Sequence, residues 1–377
     1  MWGVMLLLMA LISESGAAIL YDQFVLKHLR FAVWDPSLDE VEKSWRDATA
    51  APDPELGWPP PSLAHMAPYD ASGAKDNPDF PDPARACASA YGDSFVWGDE
   101  VPLTEGWIEQ LSRLIHCRIS NYAVTGYGTD QAFIRFRRNA DEAAPVILLG
   151  IYAQDVMRNV NQYRAFIGFG ITPHEVKGRF VLDEKNSLKW IPRPQLDRAR
   201  FIELNSDPAR IVPQDALLPG GDYGPVVRRF SFTWTLLSLE LARLRGRPLP
   251  IAAFLNENDP SQAFALTLAL VKSFRDLAQQ RHKKLLVVML PDAVSLRNKR
   301  RSGSFEYDRL RDRIGALGIA TFDVGPGLLS ARTGKSYCDL FARPNCEGHY
   351  SVEGDRLVAG IMASELARRG FLPTALR

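Results

Sequence analysis

Residues Pro145–Tyr152 read PVILLGIY, and this run decides the architecture. A strand with one wet face alternates apolar and polar side chains. An unbroken apolar run of this length suits a strand covered on both faces, as in a parallel sheet. Lys284–Leu290 (KLLVVML) repeats the pattern. Upstream of the first run, strands are predicted at Ala86–Tyr91 and Cys117–Ala123, with helices at Glu105–Ile115 and Thr129–Arg138. Downstream, helices are predicted at Val226–Leu244, Ser261–Arg281, Tyr307–Leu317 and Ser351–Arg369, with a strand at Ile319–Val324. Alternating strands and helices predict an α/β protein: a three-layer α/β/α sandwich around a mostly parallel five-stranded sheet, ordered 2-1-3-4-5.

The pattern pauses over 165–218, which is rich in proline and glycine. A hairpin is expected there, Arg179–Leu182 with Leu188–Ile191, inside an insertion that reads as a lid or rim. Pro52–Pro83, with Pro59, Pro60 and Pro61 consecutive, reads as a wrapping segment. The expected organisation is residues 1–20 as a signal peptide or membrane anchor, 21–84 as an N-terminal helix and wrapping segment, and 85–377 as the α/β domain.

Composition narrows the function. The 377 residues carry 45 basic and 44 acidic side chains, so no global field attracts a polyanion and nucleic acid is not an expected partner. No CxxC or HExxH pattern offers a metal site. The apolar run Trp2–Ile12 suits an exported or membrane-anchored chain on the extracytoplasmic face. The alternative is an apolar cap helix on a cytoplasmic domain. Cys338 with Cys346, and Cys87 with Cys117, could form bridges suited to an oxidising compartment, or all four could be buried thiols. Arg297, Lys299, Arg300 and Arg301 read as a solvated loop.

In open α/β sheets, ligands bind beyond the carboxyl ends of the strands. Gly92-Asp93-Ser94 lies there, directly after the first sheet strand, and its serine is a candidate nucleophile. Gly126, in the turn after the second strand, can bring a backbone N–H close to a developing oxyanion. Gln154 and Asp155 follow the third strand, and His349 lies just before the last helix. Asp93 reads as a brace of the serine turn, and Asp155 reads equally as a helix cap. Val96 stands where a GxSxG elbow needs its last glycine, which argues against the α/β-hydrolase fold.

In this order the blocks resemble the SGNH/GDSL hydrolase superfamily, especially its large bacterial exported or anchored members. The resemblance implies Ser94 as nucleophile and His349 as general base. It also implies the Ser94 and Gly126 N–H groups as oxyanion donors, joined by the Gln154 amide. Two positions depart from the pattern. Gln154 replaces the usual asparagine, for which Asn159 or Asn161 could substitute, and Cys346 replaces the aspartate three residues before the histidine. Glu347 or Asp339 are the candidates to orient His349. The implied activity is cofactor-free hydrolysis of an acyl ester, on a small molecule or an O-acylated glycan. Acyl transfer to a polysaccharide, or glycan binding by a weak or inactive relative, are the alternatives.

Overall fold

A computed structural model describes residues 2–47, 52–59, 68–168, 174–245 and 251–371. Pro60 and Pro61 of the wrapping segment, and Gly170 and Pro173 of the insertion, lie outside the described residues. Ala88–Tyr91 (β1), Ile119–Asn121 (β2), Val146–Ile151 (β3), Lys284–Met289 (β4) and Thr321–Asp323 (β5) form one sheet. Its order is β2-β1-β3-β4-β5 and every pair is parallel. Ala88 stands opposite Ile119 on one side and Val146 on the other. All of β3 is buried, and β4 is buried from Leu285 onward, which is why these two segments are apolar without alternation.

The chain runs outward from β1 to β2, then returns past β1 to β3. The strand order therefore reverses at β1, and its carboxyl end opens where the neighbouring crossovers diverge.

Eight helices position the site: Ser94–Trp97 (α1), Trp107–Leu114 (α2), Thr129–Arg138 (α3), Asp155–Asn159 (α4), Ala263–Gln280 (α5), Ala293–Ser302 (α6), Asp308–Ala316 (α7) and Val352–Arg369 (α8). α8 packs on α2, while α5 packs on α3, α4 and α7, giving the two helical layers. Phe136 of α3 stacks on Phe274 of α5 with centroids 5.2 Å apart, and both rings meet Tyr91 of β1. The basic run at 297–301 is helical, not a loop: Asp292 caps α6 by accepting the Ser295 N–H, and Lys299, Arg300 and Arg301 fall in its last turn. There they face the partial negative charge of the helix end.

The chain divides into two compact units. One, built from Pro59–Asn159, Phe180–Trp190 and Ile251–Arg377, holds the sheet and its helices. The expected hairpin forms, with the Asp183 N–H donating to the Ser187 carbonyl at 3.0 Å. The other unit comprises Met1–Trp58, Val160–Arg179 and Ile191–Pro250. It contains the helix Trp2–Leu20, which continues through a π-helical turn at Tyr21–Val25. Trp34, Tyr163 and Phe166 form an aromatic cluster in it, with edge contacts at 5.0 Å. The helix expected from Val226 begins only at Phe232. Val226 and Val227 instead pair in parallel with Val33 and Trp34, a contact too distant in sequence for local patterning to reveal.

Both cysteine pairs are bridged, Cys87 to Cys117 and Cys338 to Cys346, with Cα atoms 6.1 and 4.4 Å apart. The first ties the approaches to β1 and β2. The second ties the turn of the hairpin formed by Phe341–Arg343 and Glu347–Tyr350, which carries His349, to the segment just before it.

Candidate active site

Ser94 is the first residue of α1, at the carboxyl end of β1, and is almost fully buried. Asp93 caps this single-turn helix by accepting the Phe95 N–H at 3.0 Å. Gly98 ends it at φ +82°, a left-handed conformation natural to glycine, and its N–H returns to the Ser94 carbonyl at 3.0 Å. Being at a helix N-terminus, the Ser94 N–H has no intrahelical acceptor. No partner is found for it, or for the Gly126 N–H, among the described residues. Gly126 holds φ +80° in the turn after β2.

His349 comes from the C-terminal hairpin, and its Nε2 lies 2.8 Å from the Ser94 hydroxyl. Phe95 supports the imidazole, with centroids 5.0 Å apart. Phe95 is itself held between Tyr152 and Tyr350, and its carbonyl accepts the Trp107 indole N–H at 2.8 Å. Tyr350 is anchored by donating to the Pro291 carbonyl at 2.8 Å.

The carboxylate beside the histidine is Glu100. Its Oε1 lies 3.5 Å from His349 Nδ1, and its Oε2 accepts the His349 backbone N–H at 3.0 Å. Arg343, on the facing strand of the hairpin, forms an ion pair with the same carboxylate. Nδ1 is buried and makes no hydrogen bond, so at this separation Glu100 acts on the ring as a neighbouring charge. Burial opposes ionisation of Glu100. The His349 N–H, the imidazole and Arg343 outweigh it and hold the carboxyl below its ordinary value.

Glu347 and Asp339 do not take this place. Glu347 is exposed, and neither forms an ion pair with His349 among the described residues. What Asp339 offers is its backbone carbonyl, which accepts the Ser351 hydroxyl at 2.7 Å. Glu100 escaped sequence reading because it is far from His349 along the chain. Two signals were nevertheless present: an acid soon after the helix-ending Gly98, and a glycine directly before the histidine. Gly348 sits at φ +81°, and a Cβ there would occupy the space of the Glu100 carboxylate and the Arg343 stem.

Beneath the serine lies a buried charge cluster. Arg158 Nη1 donates to Asp93 and Asp155, both at 2.8 Å, and to the Tyr127 carbonyl at 3.0 Å. Burial, then the Asp93 charge, pushes the Asp155 carboxyl up, against the pull of Arg158. Asp155 also accepts the Tyr152 N–H at 3.0 Å, so it secures the turn after β3. Asp99 accepts the Thr125 hydroxyl at 2.8 Å, and burial pushes its carboxyl up against that bond and His349.

Gln154 is half-buried after β3, and its amide has no hydrogen-bond partner among the described residues. The two alternative amides are committed elsewhere. Asn159 accepts the Asp130 N–H at 3.0 Å and donates to Thr267 at 2.8 Å, while Asn161 donates to the Tyr163 carbonyl and to Asp215. No three His, Cys, Asp or Glu side chains converge as a metal site among the described residues.

No protein-family model matches the chain, and no curated protein does. A comparison with solved structures finds matches of low overall similarity. One, described as a lipolytic protein of the G-D-S-L family from Desulfitobacterium hafniense, is 11% identical over 74% of this chain and 97% of its own, with a TM-score of 0.36. TesA is 11% identical over 74% of this chain and 98% of its own, at 0.37. A carbohydrate esterase, reported with divergent catalytic and non-catalytic binding functions, is 10% identical over 78% of this chain and 68% of its own, at 0.37.

Proposed function

We propose that this chain is a serine esterase of SGNH type acting through an acyl-enzyme. The observation that carries the reading is the Ser94–His349 contact at 2.8 Å with Glu100 behind the ring. Ser94 Oγ attacks the ester carbonyl while His349 Nε2 takes its proton. In the tautomer this requires, the other ring proton is on Nδ1, facing Glu100, whose charge stabilises the imidazolium as it forms. The tetrahedral oxyanion is received by the Ser94 and Gly126 N–H groups and the Gln154 amide, three donors left without internal partners. His349 then protonates the leaving alcohol, and the acyl group remains on Ser94. Water, deprotonated by Nε2, releases the acid and restores the serine.

The proposed substrate is an acyl ester, with an O-acylated glycan as the preferred class. Two disulfides fit an oxidising compartment, where such polymers are found. Fluorophosphonate labelling tests the reading, comparing wild type with Ser94→Ala and His349→Ala. Labelling of wild type alone is expected. A folded wild type that takes no label sinks it.

A further inference from the structure

Exposed large apolar side chains are concentrated on two helices of the unit that does not hold the sheet. Thirteen of the nineteen found among the described residues lie between Met5 and Phe24 or between Phe230 and Leu244. Isolated exposed apolar residues are ordinary; a concentration of this kind marks an interaction surface. In Phe232–Leu244, Trp234, Leu237, Leu241 and Leu244 recur at spacings of three, four and three, forming one exposed stripe. The opposite side of that helix packs Leu236 and Leu239 against Tyr21, Val25 and Val33, so both sides are apolar.

The N-terminal helix differs. From Leu8 to Ser13 every residue is exposed, so its apolar surface faces all directions. Its one charge, Glu14, is engaged in hydrogen bonds. The carboxylate accepts the Phe232 and Thr233 N–H groups and the Ser231 and Thr233 hydroxyls, capping the second helix. Further along, the two helices border a mainly apolar groove of about 360 Å³ that is partly open to solvent, lined by Leu20, Phe24, Val25, Leu29, Leu236 and Leu239, with Glu240 and Arg243 at it as well. Phe24 belongs both to this groove and to the exposed surface.

Charge identifies the occupant. Arg228 and Arg229 precede the second helix, and Arg243 and Arg245 close it. Residues 2–34 and 226–245 together carry six basic side chains against three acidic ones; of the six, Arg30 pairs with Glu40 at 2.9 Å and Arg228 faces Asp35 at 3.7 Å, while no ion pair is found for Arg229 or Arg245 among the described residues. Of those acids, Glu14 is the cap and Glu240 is paired with Arg243 at 2.6 Å. Apolar side chains flanked by arginines match the interior and anionic headgroups of a bilayer. A second copy could cover the stripe, but one partner helix cannot cover a helix exposed on every side. No helix among the described residues is long and apolar enough to cross a membrane.

We propose that these two helices form an interfacial docking device for an anionic lipid bilayer, with the groove receiving an acyl tail. This is independent of the esterase reading, since it involves none of the groups around Ser94. The test is flotation of the full chain with vesicles of phosphatidylcholine alone or with 30% phosphatidylglycerol, circular dichroism melts monitoring folding. The wild type should bind the anionic vesicles at least tenfold more than the neutral ones. Trp234→Ser/Leu241→Ser should lose binding to both by tenfold or more. Arg229→Gln/Arg245→Gln should lose only the anionic preference. A folded wild type that floats with neither vesicle overturns the proposal. So does a wild-type dimer that the Trp234→Ser/Leu241→Ser change dissociates while vesicle binding is unaltered.

Discussion

Replacing Glu100 with glutamine removes one charge while keeping the shape that accepts the His349 N–H. Two unit charges 3.5 Å apart interact by about 5 kcal/mol at an effective dielectric near 20. The Glu100 side chain is 19% exposed and also faces Arg343, so solvent and the guanidinium screen much of this. About 2 kcal/mol of imidazolium stabilisation should remain, or roughly 30-fold in kcat/KM for a soluble aryl acetate. Glu347→Gln and Asp339→Asn should stay within twofold of wild type. Acid stability gives a second readout. A carboxyl held low in the fold contributes stability that is complete above its ordinary value of 4.5 and is lost as pH falls through the lower folded value. Glu100→Gln should therefore flatten the fall in melting temperature below pH 4.5. The reasoning is refuted if Glu100→Gln keeps kcat/KM within twofold, or if Glu347→Gln or Asp339→Asn produces the loss instead.

Gly348→Ala should reduce turnover about as much as Glu100→Gln and lower the melting temperature, because the new Cβ strains the φ +81° backbone and displaces the carboxylate. Its effect should be far from additive with Glu100→Gln in a double-mutant cycle. Lys75→Met should destabilise the fold by about 3–5 kcal/mol in denaturant titration, since it leaves buried Glu109 without the cation 3.2 Å away. Lys75→Met/Glu109→Leu should recover most of that loss, because an apolar pair leaves no uncompensated charge.

What could be read from the sequence was what depends on neighbours along the chain. β3 and β4 announced themselves because burial on both faces forces a continuous apolar run. Ser94 and His349 could be placed because each sits at an element boundary that local residues define: Asp93 capping α1, and Ser351 capping α8 by accepting the Gly354 N–H. The parallel pair Val33–Trp34 with Val226–Val227 was invisible for the opposite reason, since two residues on each side carry no periodicity. The basic run at 297–301 reads as a loop although it is helical, because charge alone does not distinguish a solvated loop from the end of a capped helix. Asn159 and Asn161 read as available because their partners Thr267 and Asp215 are distant in sequence.

Glu100 shows why the missing aspartate was the hardest element to replace by reading. The imidazolium responds to a negative charge near Nδ1, whichever segment supplies it. Cys346 is committed to its bridge with Cys338, so the hairpin cannot provide a carboxylate from that position. The charge instead arrives from beyond α1, six residues after the serine, and is clamped by the hairpin's own His349 N–H and Arg343. Reach then explains glutamate at this place. Shortening it by one methylene, about 1.5 Å of stem, would carry the charge from 3.5 Å to roughly 5 Å from Nδ1 and release the His349 N–H. Glu100→Asp should therefore fall below wild type in kcat/KM by a few-fold despite keeping its charge, less than Glu100→Gln, because at the same dielectric the interaction drops only from about 5 to about 3 kcal/mol. Full activity in Glu100→Asp would mean that the charge acts at a distance, without the clamp that the hairpin provides.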